Sequence, residues 1–264
     1  MKRSIATAVF AVTIGYFAAL AAYHARTIVE RPMGIAEQVA AVRSSVVHVS
    51  KDGVCQGSGC ILTPDGIIFS AKHVTDGDLD AAYTVTLDDG RKFKAKYALE
   101  DREADIAYLK LDLAGAEPNL SCARLAPVDT LRAGDPVFVF GSPLGYENFN
   151  TVSLGIVSAL HRNLDERQGW GEYKKYQWHA MIQSTSPSFP GNSGGPCFNM
   201  RGEVVGVLVA GQAETLNFSV PVVYLREKVD TVRQWFDLCR LRVLLDDKPT
   251  PEPVESWYTS KGRP

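Results

Sequence analysis

The sequence lacks any run of lysine and arginine that would track a phosphate backbone, and its 28 basic residues nearly balance its 30 acidic ones. A net charge of −2 leaves no electrostatic footprint for nucleic acid, and no nucleic-acid partner is expected. No cysteine pair stands at zinc-ligand spacing beside a pair of histidines, so neither a metal centre nor a cofactor is expected. Cysteine is scarce and odd in number: Cys55, Cys60, Cys122, Cys197 and Cys239. Any pairing therefore leaves at least one thiol over. Cys55 and Cys60 are near enough in sequence to close a small loop. Cys60 and Cys197, however, sit in apolar strand patterns and read as small buried hydrophobes. No internal repeat is visible.

The N-terminus carries the long apolar run. After Met1, Lys2 and Arg3, the stretch from Ile5 to Tyr23 has no charge. At helical rise it is long enough to cross a hydrocarbon core of about 30 Å. Ala19, Leu20 and Ala21 offer a small-x-small cleavage site, but the run is longer than the core of a typical signal peptide. Residues 1–24 are read as a membrane anchor or a signal peptide, the anchor favoured. Either one exports the rest of the chain, giving an extracytoplasmic body in the periplasm or cell envelope.

Residues 25–44 read as a linker with a short amphipathic helix from Ile35 to Arg43. From residue 45 the texture changes to short strands. Val46–Val49 is one candidate. Apolar runs on either side of Thr63-Pro64-Asp65-Gly66 make a hairpin. Further strands are expected at Tyr83–Leu87, Lys92–Leu99, Ile106–Leu111, Val137–Phe140, Val152–Leu160, Trp178–Gln183, Val204–Val209 and Asn217–Val220. This spacing, with few helices, argues for an all-β sandwich or barrel. Leu225, Val229, Val232, Trp235 and Phe236 recur at helical spacing in a C-terminal helix. Residues 242–264, with Pro249, Pro251 and Pro253, read as a disordered tail.

Ser188-Phe189-Pro190-Gly191-Asn192-Ser193-Gly194-Gly195-Pro196 sets one serine among glycines, flanked by prolines. Such a loop turns sharply and points backbone N–H groups at one spot. Acyl transfer by a serine also needs a base and a group that orients the base. His73, just after a strand, is the candidate base. Asp105, directly before the apolar strand Ile106–Leu111, is the candidate orienter. Ser193 is the candidate nucleophile. The chain order His, Asp, Ser and the missing strand–elbow–helix pattern exclude an α/β-hydrolase esterase. His48, His161 and His179 have no motif around them and read as structural.

These segments carry a family resemblance. Gly57-Ser58-Gly59 with Asp65-Gly66, Lys72-His73-Val74 with Asp76-Gly77, and Ala104-Asp105-Ile106-Ala107 occur in order. Gly141-Ser142-Pro143-Leu144-Gly145, Gly155–Leu160 and Gly191–Pro196 follow. From Val46 to Val222 the chain resembles the protease domain of the HtrA/Deg serine proteases, a branch of the chymotrypsin-like fold. The resemblance implies two six-stranded antiparallel β-barrels within residues 45–241, with the site in the cleft between them. It implies peptide-bond hydrolysis of polypeptide substrates through an acyl-enzyme, in envelope quality control or processing. His73 would act as general base then acid, Asp105 would hold its tautomer, and the N–H groups of Gly191 and Ser193 would form the oxyanion hole.

Two features depart from the family. Its members usually carry PDZ domains after the protease, and too few residues follow Val222 here for one. The approach to the serine, Gln183 to Pro190, differs in sequence and contains no Asp or Glu. Pro187, Ser188 and Phe189 are expected to build one wall of the primary specificity pocket, with Val207 and Val209 opposite. A small or medium apolar side chain is then the expected occupant. The polar-aromatic connection between Leu160 and Trp178 reads as a solvated loop or a substrate-gating one. Membrane attachment would run through the N-terminal helix, and homo-oligomerisation is left open. The alternative to an enzyme is an inactive or partner-activated pseudo-protease, serving as a binding or scaffold protein.

Overall fold

Period-2 strands that bury one face must curl or stack to cover it, and this chain does so by closing sheets. The computed structural model describes residues 34–76, 81–102, 104–113, 119–128, 130–164 and 178–244. The expected N-terminal anchor or signal, the tail beyond residue 244 and the connection at 165–177 lie outside them. Among the described residues no helix is long and apolar enough to cross a membrane.

Helix α1 (Ile35–Val42) and a 3-10 turn (Arg43–Ser45) precede the first strand. Six strands then close the first barrel: β1 (Val46–Lys51), β2 (Val54–Ile61), β3 (Ile67–Ala71), β4 (Tyr83–Thr86), β5 (Lys92–Asp101) and β6 (Ile106–Leu111). They are hydrogen-bonded in the order β1-β2-β3-β6-β5-β4, and β4 pairs back on β1. The hairpin at Thr63–Gly66 forms as read. Gly66, at φ +87°, donates to the Thr63 carbonyl at 2.9 Å, a conformation that glycine adopts at no steric cost.

A two-residue strand, β7 (Arg124–Leu125), leads to the second barrel. This consists of β8 (Pro136–Gly141), β9 (Thr151–Leu164), β10 (Trp178–Ser184), β11 (Pro196–Asn199), β12 (Glu203–Ala213) and β13 (Leu216–Pro221). The order β11-β8-β9-β10-β13-β12 closes through β11–β12 pairing, and β7 adds in parallel to β12. The two-barrel expectation is met, so the open choice between sandwich and barrel resolves to barrels. The C-terminal helix, α3 (Val222–Leu244), buries Leu225 and Val232. Its Arg226 donates to the carbonyls of Leu125 and Ala126 at 2.7 and 2.9 Å, tying the helix to β7.

Phe138, Phe140 and Phe198 form an aromatic cluster on β8 and β11, within the hydrophobic core that also takes in first-barrel residues. Phe138 stacks on Phe198 at 5.4 Å, and Phe140 meets it edge-on at 6.0 Å. The cysteines conform to the bland reading where they are described. Cys60 and Cys197 are buried free thiols, so no small loop closes through Cys60. Burial pushes both up to about 12, which leaves them protonated and inert.

Candidate active site

Antiparallel register brings the first two candidate residues together. β3 pairs with β6 so that Ala71 faces Ile106. Two residues beyond Ala71 is His73, in the single-turn helix α2 (Lys72–Thr75), and one before Ile106 is Asp105. The Lys72 N–H donates to the Asp105 carbonyl at 2.9 Å and continues the ladder past the strand ends. Asp105 is wholly buried and stands at φ +59°, a left-handed conformation that aspartate tolerates better than most residues. Its Oδ1 accepts from the His73 backbone N–H at 3.0 Å, and its Oδ2 lies 2.7 Å from His73 Nδ1. A carboxylate at that distance keeps the proton on Nδ1 and leaves the lone pair on Nε2, so the ring can accept a proton there.

The serine loop is threaded against both barrels. Ser193 is half-buried. Its carbonyl accepts from the Ser58 N–H at 2.8 Å. A side chain at Gly57 would collide with that carbonyl and with Val74, the residue after His73, each at 2.7 Å. Gly194 lies so close to Ala71 N that a Cβ would sit 2.6 Å from it. Ser193 is thus held against the end of β3, where His73 begins. The small residues around the serine permit backbone to meet backbone.

Within this loop the amides divide into two classes. Asn192 donates to Phe189 O at 3.0 Å, Gly194 to Leu208 O at 2.7 Å and Gly195 to Asn192 O at 3.0 Å. The amides of Gly191 and Ser193 have no acceptor among the described residues. The Pro190 carbonyl accepts from Leu144 N at 2.7 Å. A trans peptide sets C=O and N–H in opposite directions, so the Gly191 N–H points away from Leu144. Gly191 itself stands at φ +98°, and a Cβ there would lie 2.2 Å from the Ser142 carbonyl.

The expected pocket residues have different fates. Pro187 and Ser188 are half-buried and Phe189 is exposed. Val207 and Val209 are buried in the hydrophobic core with Phe140, Phe198 and Phe218. The groups found against Ser188 are instead Asn217 and Gly211. Ser188 Oγ hydrogen-bonds Asn217 Oδ1, and a Cβ on Gly211 would lie 3.3 Å from that hydroxyl. Both amide hydrogens of the buried Asn217 are used, on Ser186 O at 2.7 Å and Glu214 O at 2.9 Å. Asn217 was missed in the sequence because its role depends on a partner 31 residues away. The one available hint was an asparagine at the start of the expected strand Asn217–Val220.

A separate cavity of about 280 Å³ opens in the second barrel between Val128, Leu131, Leu160, His161, Ile182 and Val222. None of the candidate site residues lines it. Among the described residues no cluster of His, Cys, Asp or Glu is arranged to hold a metal ion.

Residues 57–207, more than half of the chain, match the trypsin-like peptidase domain family. A Synechocystis sp. protein described as serine protease HhoA is 38% identical over 172 residues, covering 63% of this chain and 40% of that protein. A Pseudomonas savastanoi pv. phaseolicola protein described as a periplasmic serine endoprotease, DegP-like, is 37% identical over 171 residues, covering 63% of this chain and 32% of its own length. The chain therefore spans less than half the length of these curated relatives. Among solved structures, the HtrA-type protease AlgW with decapeptide is similar at a TM-score of 0.64 and 25% identity, over 76% of this chain and 68% of that one. Deg5 is similar at 0.60 and 26% identity, over 73% of this chain and 90% of that one. Its barrels, its ordered motifs and its similarity to HtrA- and DegP-like proteins all point one way, and the chain belongs to the trypsin-like peptidase domain family.

Proposed function

We propose that the protein is a serine endopeptidase that cleaves polypeptides through an acyl-enzyme. The observation that carries this reading is the division of loop amides. Of the amides from Gly191 to Gly195, those of Gly191 and Ser193 lack an acceptor among the described residues, in a loop packed against the end of β3, two residues before His73. Ser193 Oγ attacks the scissile carbonyl and His73 Nε2 takes its proton. Asp105, hydrogen-bonded to Nδ1, stabilises the imidazolium. The Gly191 and Ser193 amides receive the developing oxyanion. His73 then returns the proton to the leaving amine, and water repeats the sequence on the ester. Each oxyanion donor is worth about 3 kcal/mol of transition-state stabilisation.

No carboxylate lies in the approach from Gln183 to Pro190, and the Ser188 hydroxyl is committed to Asn217. An uncharged pocket of this kind suits a small or medium apolar side chain before the scissile bond and gives no anchor for lysine or arginine. The relatives described as periplasmic and the uncharged run from Ile5 to Tyr23 support work on unfolded or mislocalised chains in the cell envelope.

The test uses a fluorophosphonate probe and unfolded casein on the full chain. Wild type should be labelled at Ser193 and should cleave casein, and Ser193→Ala should lose both. An unlabelled wild-type protein that still melts cooperatively would instead mark a pseudo-protease.

A further inference from the structure

A line of buried polar groups runs from the first strand to the oxyanion loop, and the catalytic steps above do not use it. His48 on β1 is buried against the stacked rings of Tyr146 and Phe149, which meet it edge-on at 5.1 and 5.9 Å. Its Nδ1 lies 2.9 Å from Ser142 Oγ. The Ser142 N–H donates to Ser58 Oγ at 2.9 Å. Ser58 Oγ–H in turn donates to the Gly191 carbonyl at 2.8 Å. Ser58 and Ser142 are both fully buried. The residues come from β1, β2 and the loop after β8, so the line bridges the two barrels.

Each link constrains the next. Ser58 has a single hydroxyl proton, and Gly191 O takes it. Its lone pair is then met by the Ser142 amide. That amide also lies 3.4 Å from Gly191 O, so the carbonyl faces two donors. Residue 142 must therefore stay in place for both contacts, and its side chain is pinned by the imidazole. Main chain at 142 is also pressed against Gly191, whose missing Cβ leaves room for the Ser142 carbonyl. Burying this many polar groups is costly unless all are paired, so a paired line is rigid by construction. The carbonyl it grips and the amide proposed for the oxyanion belong to one residue.

We propose that His48, Ser142 and Ser58 form a brace that positions the Gly191 amide for the oxyanion. The proposal rests on the serine endopeptidase reading above. His48 touches no reacting atom and is a positioning residue. Its loss should act on transition-state stabilisation and leave substrate binding alone.

The experiment compares wild type, His48→Phe, His48→Asn and Ser58→Ala by steady-state kinetics on a peptide substrate, by the rate of Ser193 phosphonylation and by thermal melting. In His48→Phe, kcat and the phosphonylation rate should fall on the order of tenfold with KM within about twofold, a fraction of the loss expected for a whole oxyanion donor. Asparagine can place its amide near the position of Nδ1, so His48→Asn should recover most of the rate. Ser58→Ala removes only a hydroxyl and should show the same kcat effect, which keeps the test decisive if phenylalanine disturbs packing. Wild-type rates in both His48→Phe and Ser58→Ala would overturn the brace, and so would a rise in KM at unchanged kcat. Absence of any labelling in wild type would overturn the endopeptidase reading itself, a distinguishable failure.

Discussion

At the residue scale, His48 shows how much a fold can ask of a side chain that carries no motif. Burial lowers its pKa, with the Glu147 carboxylate opposing and the Lys92 ammonium adding to the shift. Lys92 also sits over the Tyr146 ring at 5.7 Å, one of the two rings packed edge-on against the imidazole. A histidine whose folded pKa is depressed takes up its proton first in the unfolded chain. Its contribution to stability is therefore complete above the unfolded pKa of about 6.5 and is lost as pH falls towards the folded value. Wild type should show a melting temperature that declines between pH 7 and 5, and His48→Asn should decline less steeply. Parallel pH curves for the two proteins would show that His48 contributes nothing to acid sensitivity. His73 and Asp105 stood out in the sequence as candidates by their places after one strand and before another, and the pairing of those strands makes them neighbours. His48 was not legible as more than structural. What distinguishes it is a hydroxyl 94 residues away, which no local pattern announces.

At the element scale, most strands declared themselves through apolar alternation between turn residues, and their order followed. The exceptions have separate physical causes. β7 is two residues long and parallel, so it has no periodicity to read. β9 runs on to Leu164 through the exposed His161 and Arg162, where cross-strand pairing with β10 carries it past the end of the apolar pattern. Helix α2 is a single turn, too short to leave a periodicity, and Asp105 accepts from its first two amides. The aromatic cluster on β8 and β11 gives this scale its prediction. Phe198 lies on the short strand β11, which closes the barrel between β8 and β12. Phe198→Ala removes a ring that touches both Phe138 and Phe140. It should cost about 3–5 kcal/mol, measured by denaturant unfolding. A loss below about 1 kcal/mol would mean that closure of the second barrel does not depend on this cluster. β11 begins three residues after Ser193, so the same variant should lose fluorophosphonate labelling at a lower denaturant concentration.

At the scale of the whole molecule, the two barrels do not have two separate cores. One continuous cluster of buried side chains includes Val47, Ile68, Phe69 and Ile106 from the first barrel, together with Phe138, Phe140, Phe198, Val207 and Phe218 from the second. A smaller cluster around Val137, Val157, Ile182 and Leu208 belongs to the second barrel alone. The serine loop sits where the barrels meet. Ser58 N holds Ser193 O from one side, and Leu144 N holds Pro190 O from the other. A site assembled from both halves is complete only while both are folded. Shared core and shared site together predict cooperative unfolding of the barrels. Ile68→Ala, wholly within the first barrel, should cost about 2–5 kcal/mol. Hydrogen exchange should then quicken in β11 and β12 by the same factor as in β3, because those amides open through the same global event. Calorimetry should show one transition at a lower temperature, and labelling of Ser193 should disappear across it. Undiminished protection in β11 and β12 would mean that the second barrel folds on its own, with the first acting as a separable carrier of His73 and Asp105.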